Sequence, residues 1–140
     1  MPDSASIAHV LETCLYAEDL EAADLFYGGV LGLEALAREA GRHVFYRCGP
    51  GVLLVFAPSR TLAAPGAVKG VPVPAHGAHG PGHVAFAVPE DDLPAWRDRL
   101  AAARVEIEAE IEWPRGGRSI YVRDPAGNSV ELAPAGIWGR

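Results

Sequence analysis

The alternation of hydrophobic and polar residues predicts a run of short elements over residues 7–58. Residues 7–17 are rich in apolar side chains and short enough for a strand. An acidic turn at Glu18 and Asp19 then opens a helix with apolar residues at helical spacing. Glycines close this helix and also form the turns between the strands after it. Those strands are expected at residues 33–38, 43–48 and 52–57.

The same order of elements returns over residues 82–134. A strand at residues 83–88 precedes a helix with a single apolar stripe. Residues 105–112 then alternate so strictly that one face of their strand should meet water. A final hairpin completes the repeat. The sequence therefore predicts an α+β fold in which two βαβββ modules form one structural domain.

The stretches outside the two modules have a different composition. Residues 59–81 combine prolines, glycines and two histidines, which is typical of an exposed linker. A loop of this length in a compact domain is often functional or mobile. Residues 135–140 form a C-terminal tail that is expected to pack across the sheet or against a neighbouring subunit.

The last hairpin carries the residue that most needs an explanation. Apolar runs at residues 119–122 and 130–132 flank the sequence Asp-Pro-Ala-Gly-Asn, which suits a tight turn. Glu131 lies inside the second run, where an apolar side chain is expected. A carboxylate buried there must be paired, protonated or bound to a metal. The alternative is that Glu131 faces solvent on a one-sided sheet.

An alignment of the two modules bears on that choice. Glu12 falls at the position of His83 in the first strands, and Val55 at the position of Glu131 in the last strands. Three of these four equivalent positions are thus polar residues in apolar strands. Because chance exposure seldom selects equivalent positions of a repeat, the alignment counts against the solvent-facing alternative.

Composition and charge narrow the classes of function. The apolar fraction of 49% indicates a folded protein, and a net charge of −6 makes nucleic acid an unexpected partner. No apolar run approaches the roughly 20 residues of a membrane span, and the N-terminus lacks the pattern of a signal peptide. Cys14 and Cys48 have no motif spacing, so they are expected to be reduced. We therefore expect a cytoplasmic protein without a membrane partner.

Three segments resemble the vicinal oxygen chelate superfamily. They are Gly-His-Val-Ala-Phe-Ala-Val from residue 82, Arg-Asp-Pro-Ala-Gly-Asn-Ser-Val-Glu-Leu from residue 123, and the helix-to-strand junction at residues 25–33. This superfamily includes glyoxalase I, fosfomycin-resistance enzymes, extradiol dioxygenases and the metal-free bleomycin-resistance proteins. The resemblance implies that each module curls its mixed sheet into half a cup and that two modules enclose one site.

The resemblance also implies which residues form the site. Metal ligands in the family come from the first and last strands, which points to Glu12, His83 and Glu131, whereas Val55 has no ligating atom. One imidazole and two carboxylates suit a divalent ion such as Fe²⁺, Mn²⁺, Ni²⁺ or Zn²⁺. Tyr121 is expected across the hairpin from Glu131. Its phenol would bind or protonate a substrate oxygen, unless it is simply a core tyrosine.

Four further polar residues are secondary candidates. His76 or His79 of the linker would replace Glu12 as a ligand, unless both are solvated. His43 would point into the cup from the half without ligands, although a structural role is favoured. Arg118 follows two glycines, a pattern that suits either an anionic substrate group or an ordinary turn.

Two functions remain open at this point. The first is a metal-dependent enzyme, of lyase, isomerase or dioxygenase type, acting on a small oxygen-rich substrate. The second is a metal-free protein that sequesters a ligand, with Glu12, His83 and Glu131 in a hydrogen-bonded cluster. The resemblance implies a homodimer in which modules pair within or between chains. Pairing between chains would bring Glu12 of one subunit to the other two residues.

Overall fold

The computed structural model describes residues 4–63 and 66–139. The first module has one strand, a helix that changes its hydrogen-bonding pattern halfway, and three more strands. These elements are β1 (Glu12–Tyr16), α1 (Leu20–Asp24), a π-helical turn (Leu25–Val30), β2 (Glu34–Glu39), β3 (His43–Cys48) and β4 (Gly51–Phe56). Asp19 caps α1, because its carboxylate accepts the backbone N–H of Ala22 at 3.0 Å.

The rest of the chain contains a short connecting region and the second module. The connection holds α2 (Pro58–Ala63) and a small hairpin of β5 (Ala67–Val68) and β6 (Val71–Pro72). The second module holds β7 (His83–Ala87), a 3₁₀ turn (Glu90–Asp92), α3 (Leu93–Ala102), β8 (Ala109–Glu112), β9 (Arg118–Arg123), β10 (Ser129–Ala133) and a second 3₁₀ turn (Ala135–Trp138). Among the described residues, no helix has the length and apolar character needed to cross a membrane.

The strands form two four-stranded sheets with the same topology. Their orders are β1-β4-β3-β2 and β7-β10-β9-β8. In each sheet the first strand of the module runs parallel to the last, and the other neighbours are antiparallel. The predicted α+β fold with two curled mixed sheets is therefore confirmed.

The two modules share one hydrophobic core. Leu15 and Val55 of the first sheet belong to the same cluster of buried residues as Val130 of the second sheet. A hydrogen bond between polar side chains also joins the modules, since the hydroxyl of Tyr27 donates to Oδ2 of Asp124 at 2.6 Å. One face of each sheet consequently packs against this core, and the other face points away from it.

Several boundaries differ from the sequence prediction. The first strand begins at Glu12, and residues 7–11 before it are exposed. The strand predicted at residues 105–112 begins only at Ala109, and Arg104 turns the chain after α3 with a left-handed φ of 60°. The predicted linker contains α2 and a hairpin, so part of it is regular structure.

The pairing of strands corrects the alignment of the two modules. Glu131 pairs with Tyr121, and the corresponding pair in the first module is Leu54 with Phe45. Val55 is instead fully buried in the core. The paired residues are ten positions apart in the second module and nine in the first, so the turn of the first module is one residue shorter. A shift of one residue moves a side chain to the opposite face of the sheet. Leu54, like Val55, has no ligating atom.

Candidate active site

The polar side chains of the second module lie on the sheet face that turns away from the core. Along β10, Val130 and Leu132 point into the core, so alternation places Ser129, Glu131 and Ala133 on the opposite face. Glu131 is nevertheless only 5% exposed. A carboxylate at that depth requires partners that satisfy its charge.

Ser119 satisfies one oxygen of this carboxylate, and Trp113 in turn donates to Ser119. The hydroxyl of Ser119 donates to Oε2 of Glu131, and the two oxygens are 2.5 Å apart. The indole N–H of Trp113 donates to Oγ of Ser119 at 2.7 Å. Because an indole nitrogen can only donate, the hydroxyl hydrogen of Ser119 is left for the carboxylate. Oε2 is therefore occupied, and Oε1 is left for another partner.

His83 faces that remaining oxygen. Its Nε2 lies 3.4 Å from Oε1 of Glu131, and its Nδ1 lies 3.1 Å from the backbone carbonyl oxygen of Ser129. The hydroxyl of Ser129 is also 3.2 Å from Nδ1, so Nδ1 either donates to the carbonyl or accepts from the hydroxyl. In the first tautomer the lone pair of the neutral ring is on Nε2, where a metal ion would bind beside Oε1 of Glu131. In the second tautomer Nε2 carries the hydrogen and faces Oε1 as a donor.

Tyr121 lies on β9, on the other side of the Glu131 strand from His83. It is the cross-strand partner of Glu131, and its ring stacks on that of His83 with centroids 6.3 Å apart. Burial raises the pKa of Tyr121, and the negative charge of Glu131 and a hydrogen bond to its carboxylate raise it further. The phenol is protonated at neutral pH, so it can donate a hydrogen bond to this carboxylate or to a bound molecule.

The three side chains open onto a cavity of about 770 Å³. This size is typical of pockets that hold small molecules. Arg115 adds a cation to the lining, and the remaining wall is mainly apolar. The apolar side chains are those of Val10, Val84, Ala85, Trp113, Pro114, Ile137 and Trp138. The cavity thus suits a small molecule with a polar end and an apolar remainder.

His83 and Glu131 fit a divalent metal as two ligands of a larger set. Two nitrogen or oxygen ligands, each about 2.0–2.2 Å from one ion, lie roughly 3.0–3.4 Å apart, and the facing atoms here are 3.4 Å apart. The hydrogen bond from Nδ1 of His83 to a carbonyl is the usual support of a metal-binding histidine. Within residues 4–63 and 66–139, no three His, Cys, Asp or Glu side chains are grouped to hold a metal.

Glu12, the third predicted ligand, does not join this pair within one chain. It is an exposed residue of β1, and alternation turns its side chain to the face opposite that of Thr13. Thr13 lines the cavity together with His83. The carboxylate of Glu12 therefore points away from the cavity of its own chain, and a single chain brings together only two of the three predicted ligands.

The histidines that were secondary candidates lie elsewhere. Nδ1 of His76 is 2.6 Å from the hydroxyl of Tyr16 on the first sheet, and His79 is exposed. The ring of His43 stacks on Phe45, with centroids 4.0 Å apart. The lining of the cavity includes none of these three histidines, all of which are among the described residues. His76 therefore packs against the first sheet and does not contribute to the site of His83 and Glu131.

Sequence reasoning missed three residues of the site. Ser119 was identifiable, because it lies two positions before Tyr121 and therefore on the same face of β9. Trp113 and Arg115 lie in the loop before β9, where no periodicity indicates a direction. The arginine that was considered, Arg118, is instead paired with Glu112 at 2.7 Å.

Comparisons with known proteins agree with this architecture. The model of the Glyoxalase/Bleomycin resistance protein/Dioxygenase superfamily matches residues 6–132. A crystal structure of lactoylglutathione lyase from Agrobacterium tumefaciens is 39% identical, with a TM-score of 0.87, over 96% of this chain and 98% of that chain. A glyoxalase-related enzyme from Fulvimarina pelagi is 28% identical, with a TM-score of 0.67, over 91% of this chain and 88% of that chain. A comparison with curated proteins finds no match.

The family match spans nearly the whole chain. It includes both four-stranded sheets up to Leu132, and with them His83 and Glu131. The chain therefore belongs to the Glyoxalase/Bleomycin resistance protein/Dioxygenase superfamily.

Proposed function

We propose that the protein is a metal-dependent enzyme that acts on a small substrate with two neighbouring oxygens. The observation that carries this proposal is the pair of His83 and Glu131, whose facing atoms lie 3.4 Å apart, a separation that suits two ligands of one metal ion. Both side chains line a cavity of small-molecule size. A divalent ion such as Fe²⁺, Mn²⁺, Ni²⁺ or Zn²⁺ would bind these two atoms and polarise substrate oxygens as a Lewis acid.

The side chains around this pair have distinct roles in the proposal. Tyr121, whose raised pKa keeps its phenol protonated, donates a hydrogen bond or a proton to a substrate oxygen. Oε1 of Glu131 would serve as a metal ligand beside Nε2 of His83. Ala85, directly across from Glu131, leaves space for the substrate, and Arg115 attracts an anionic substituent.

Lyase or isomerase chemistry is favoured over a dioxygenase reaction. Dioxygenases of this family usually present two histidines and one glutamate, and the proposed set has a single histidine, His83. The 39% identity with a protein named lactoylglutathione lyase supports the same choice. In either reaction a bound metal would polarise substrate oxygens, so the same residues would hold it.

The third ligand requires a second copy of the chain. We propose a homodimer in which Glu12 of one subunit reaches His83 and Glu131 of the other. β1 and β7 are both edge strands of their sheets, and exposed edges of this kind favour association. The arm before β1 is also exposed and apolar, which is typical of an interface. Its large apolar residues are Ile7, Val10 and Leu11, with exposed fractions of 93%, 78% and 65%.

The cysteines bear on where the protein works. Cys14 and Cys48 are both unpaired. Reduced cysteines are typical of cytoplasmic proteins, so we retain a cytoplasmic location as part of the proposal.

Metal content tests the proposal. We expect a near-stoichiometric divalent metal in protein purified without an affinity tag, and its loss in His83→Ala and Glu131→Gln. Mass spectrometry of the metals provides the measurement, and Glu110→Gln, which changes an exposed ion pair with Arg97, provides the control. If the parent takes up none of Fe²⁺, Mn²⁺, Ni²⁺ or Zn²⁺, the enzyme proposal is wrong.

A metal-free ligand-binding protein is the second candidate. The observation in its favour is that a proton on Nε2 of His83 would also satisfy Oε1 of Glu131 within one chain. The cavity would then sequester a small molecule through its apolar wall and the phenol of Tyr121. Tight binding of a small molecule by protein without any metal would favour this candidate.

A further inference from the structure

Ser119 and Trp113 form a hydrogen-bonded chain behind the carboxylate of Glu131. We propose that both are positioning residues, which fix the carboxylate so that Oε1 alone is presented to the cavity. The chain runs from the indole N–H of Trp113 to Oγ of Ser119 at 2.7 Å and on to Oε2 of Glu131 at 2.5 Å. The consequence for metal affinity rests on the proposed function, whereas the hydrogen-bonded chain itself does not.

The direction of each hydrogen bond follows from the chemistry of the donors. An indole nitrogen has no lone pair to accept with, so Trp113 determines that Ser119 donates its only hydrogen to Glu131. Ser119 is fully buried and Glu131 is 5% exposed, so water cannot replace the hydroxyl without rearrangement. Removal of the hydroxyl would free Oε2, and the carboxylate would then rotate or turn both oxygens to the cavity.

Trp113 links this series of hydrogen bonds to any ligand in the cavity. Its indole forms part of the cavity wall, while its N–H supports Ser119. Backbone hydrogen bonds hold the loop, since N–H of Trp113 donates to the carbonyl of Gly117 and N–H of Gly116 to the carbonyl of Trp113, both at 2.9 Å. A ligand that packs on the indole therefore contacts a side chain that also orients Glu131.

The first test does not depend on metal. The chain has three tryptophans, so its indole N–H groups give three resonances in a ¹H–¹⁵N spectrum, which Trp113→Phe and Trp96→Phe assign. We expect the Trp113 resonance to shift in both Ser119→Ala and Glu131→Gln, while the Trp96 resonance stays in place. An unchanged Trp113 resonance in both variants would overturn the proposal.

The second test measures affinity for Zn²⁺ alone by calorimetry. We expect Ser119→Ala and Trp113→Phe to weaken binding by about 10- to 100-fold, as loss of a support behind a metal ligand does. Trp96→Phe, a tryptophan outside the cavity lining, should bind as the parent does, and Ser119→Thr should recover much of the lost affinity. Parental affinity in folded Ser119→Ala would overturn the proposal. If the parent does not bind Zn²⁺, the titration is repeated with Fe²⁺, Mn²⁺ and Ni²⁺. Failure to bind any of the four ions would overturn the proposed function instead, and the indole shifts would then decide on Ser119 and Trp113.

Discussion

The two sheets have the same topology, yet their outward faces are built in opposite ways. On the first face, His43 stacks on Phe45 with centroids 4.0 Å apart, and His76 packs edge-on against Phe56 at 4.8 Å. On the second face the equivalent positions are small or polar. The equivalent pairs are His43 and Ser119, Phe45 and Tyr121, Leu54 and Glu131, Phe56 and Ala133, and Tyr16 and Ala87.

This difference explains why two sheets with the same backbone topology have a packed outward face in one case and a cavity in the other. Aromatic side chains fill the first face, and the connecting segment adds His76 over it through the hydroxyl of Tyr16. Small residues leave space over the second face, and the buried Glu131 lies at the same register position as Leu54. Side-chain volume and one carboxylate, rather than the strands themselves, therefore distinguish a packed face from a cavity.

The largest effect is expected when Glu131 of the second sheet is replaced by leucine, the residue at the equivalent position of the first sheet. Glu131→Leu removes the carboxylate and fills its space, so metal affinity should fall by more than about 100-fold while the fold persists. Metal titration together with circular dichroism checks both parts. Retained metal binding in the folded variant would show that Glu131 is not a metal ligand.

The reverse exchange should have a smaller and different effect. Leu54→Glu places a carboxylate opposite Phe45, where no hydroxyl equivalent to that of Ser119 is available, because His43 occupies the corresponding position. We expect the free energy of unfolding to fall by about 1–3 kcal/mol, without any new metal binding. Denaturant unfolding gives the first quantity. A gain of metal by this variant would show that the backbone alone suffices for a site.

The smallest effect concerns the dependence of stability on pH. Burial raises the pKa of Tyr16 on the first face to about 12 from an ordinary value of 10.0. The unfolded chain therefore loses this proton first, so the contribution of Tyr16 to stability is present below pH 10 and is lost between pH 10 and pH 12. Unfolding free energies measured across this range should fall less steeply in Tyr16→Phe. An identical slope in the variant would contradict the assignment.

Much of the fold was predictable because the pattern is strong and occurs twice. The final hairpin was predicted from its turn sequence and its flanking apolar runs, and the pairing of β9 with β10 confirms it. Strand boundaries were less predictable. Val105 and Ile107 pack against the core outside any strand, although the turn after α3 ends at Arg104.

The site was only partly predictable for a related reason. His83 and Glu131 were recognisable as polar residues in apolar strands, and the structure places them side by side. The equivalence of Val55 was wrong by one position, because a turn length that differs by one residue is invisible to an alignment without gaps. Trp113 reaches the site from a loop, and loops carry no period that indicates where a side chain points.

Subunit complementation tests most directly whether two chains share one metal site. Glu12→Gln and Glu131→Gln are each expected to lose metal as homodimers. When the two variants are co-expressed, half of the dimers should be mixed, and each mixed dimer regains one intact site. A site shared between two subunits should give this sample about one quarter of the parental metal content per chain. No metal in the co-expressed sample, or full metal content in Glu12→Gln alone, would contradict a site shared between two chains.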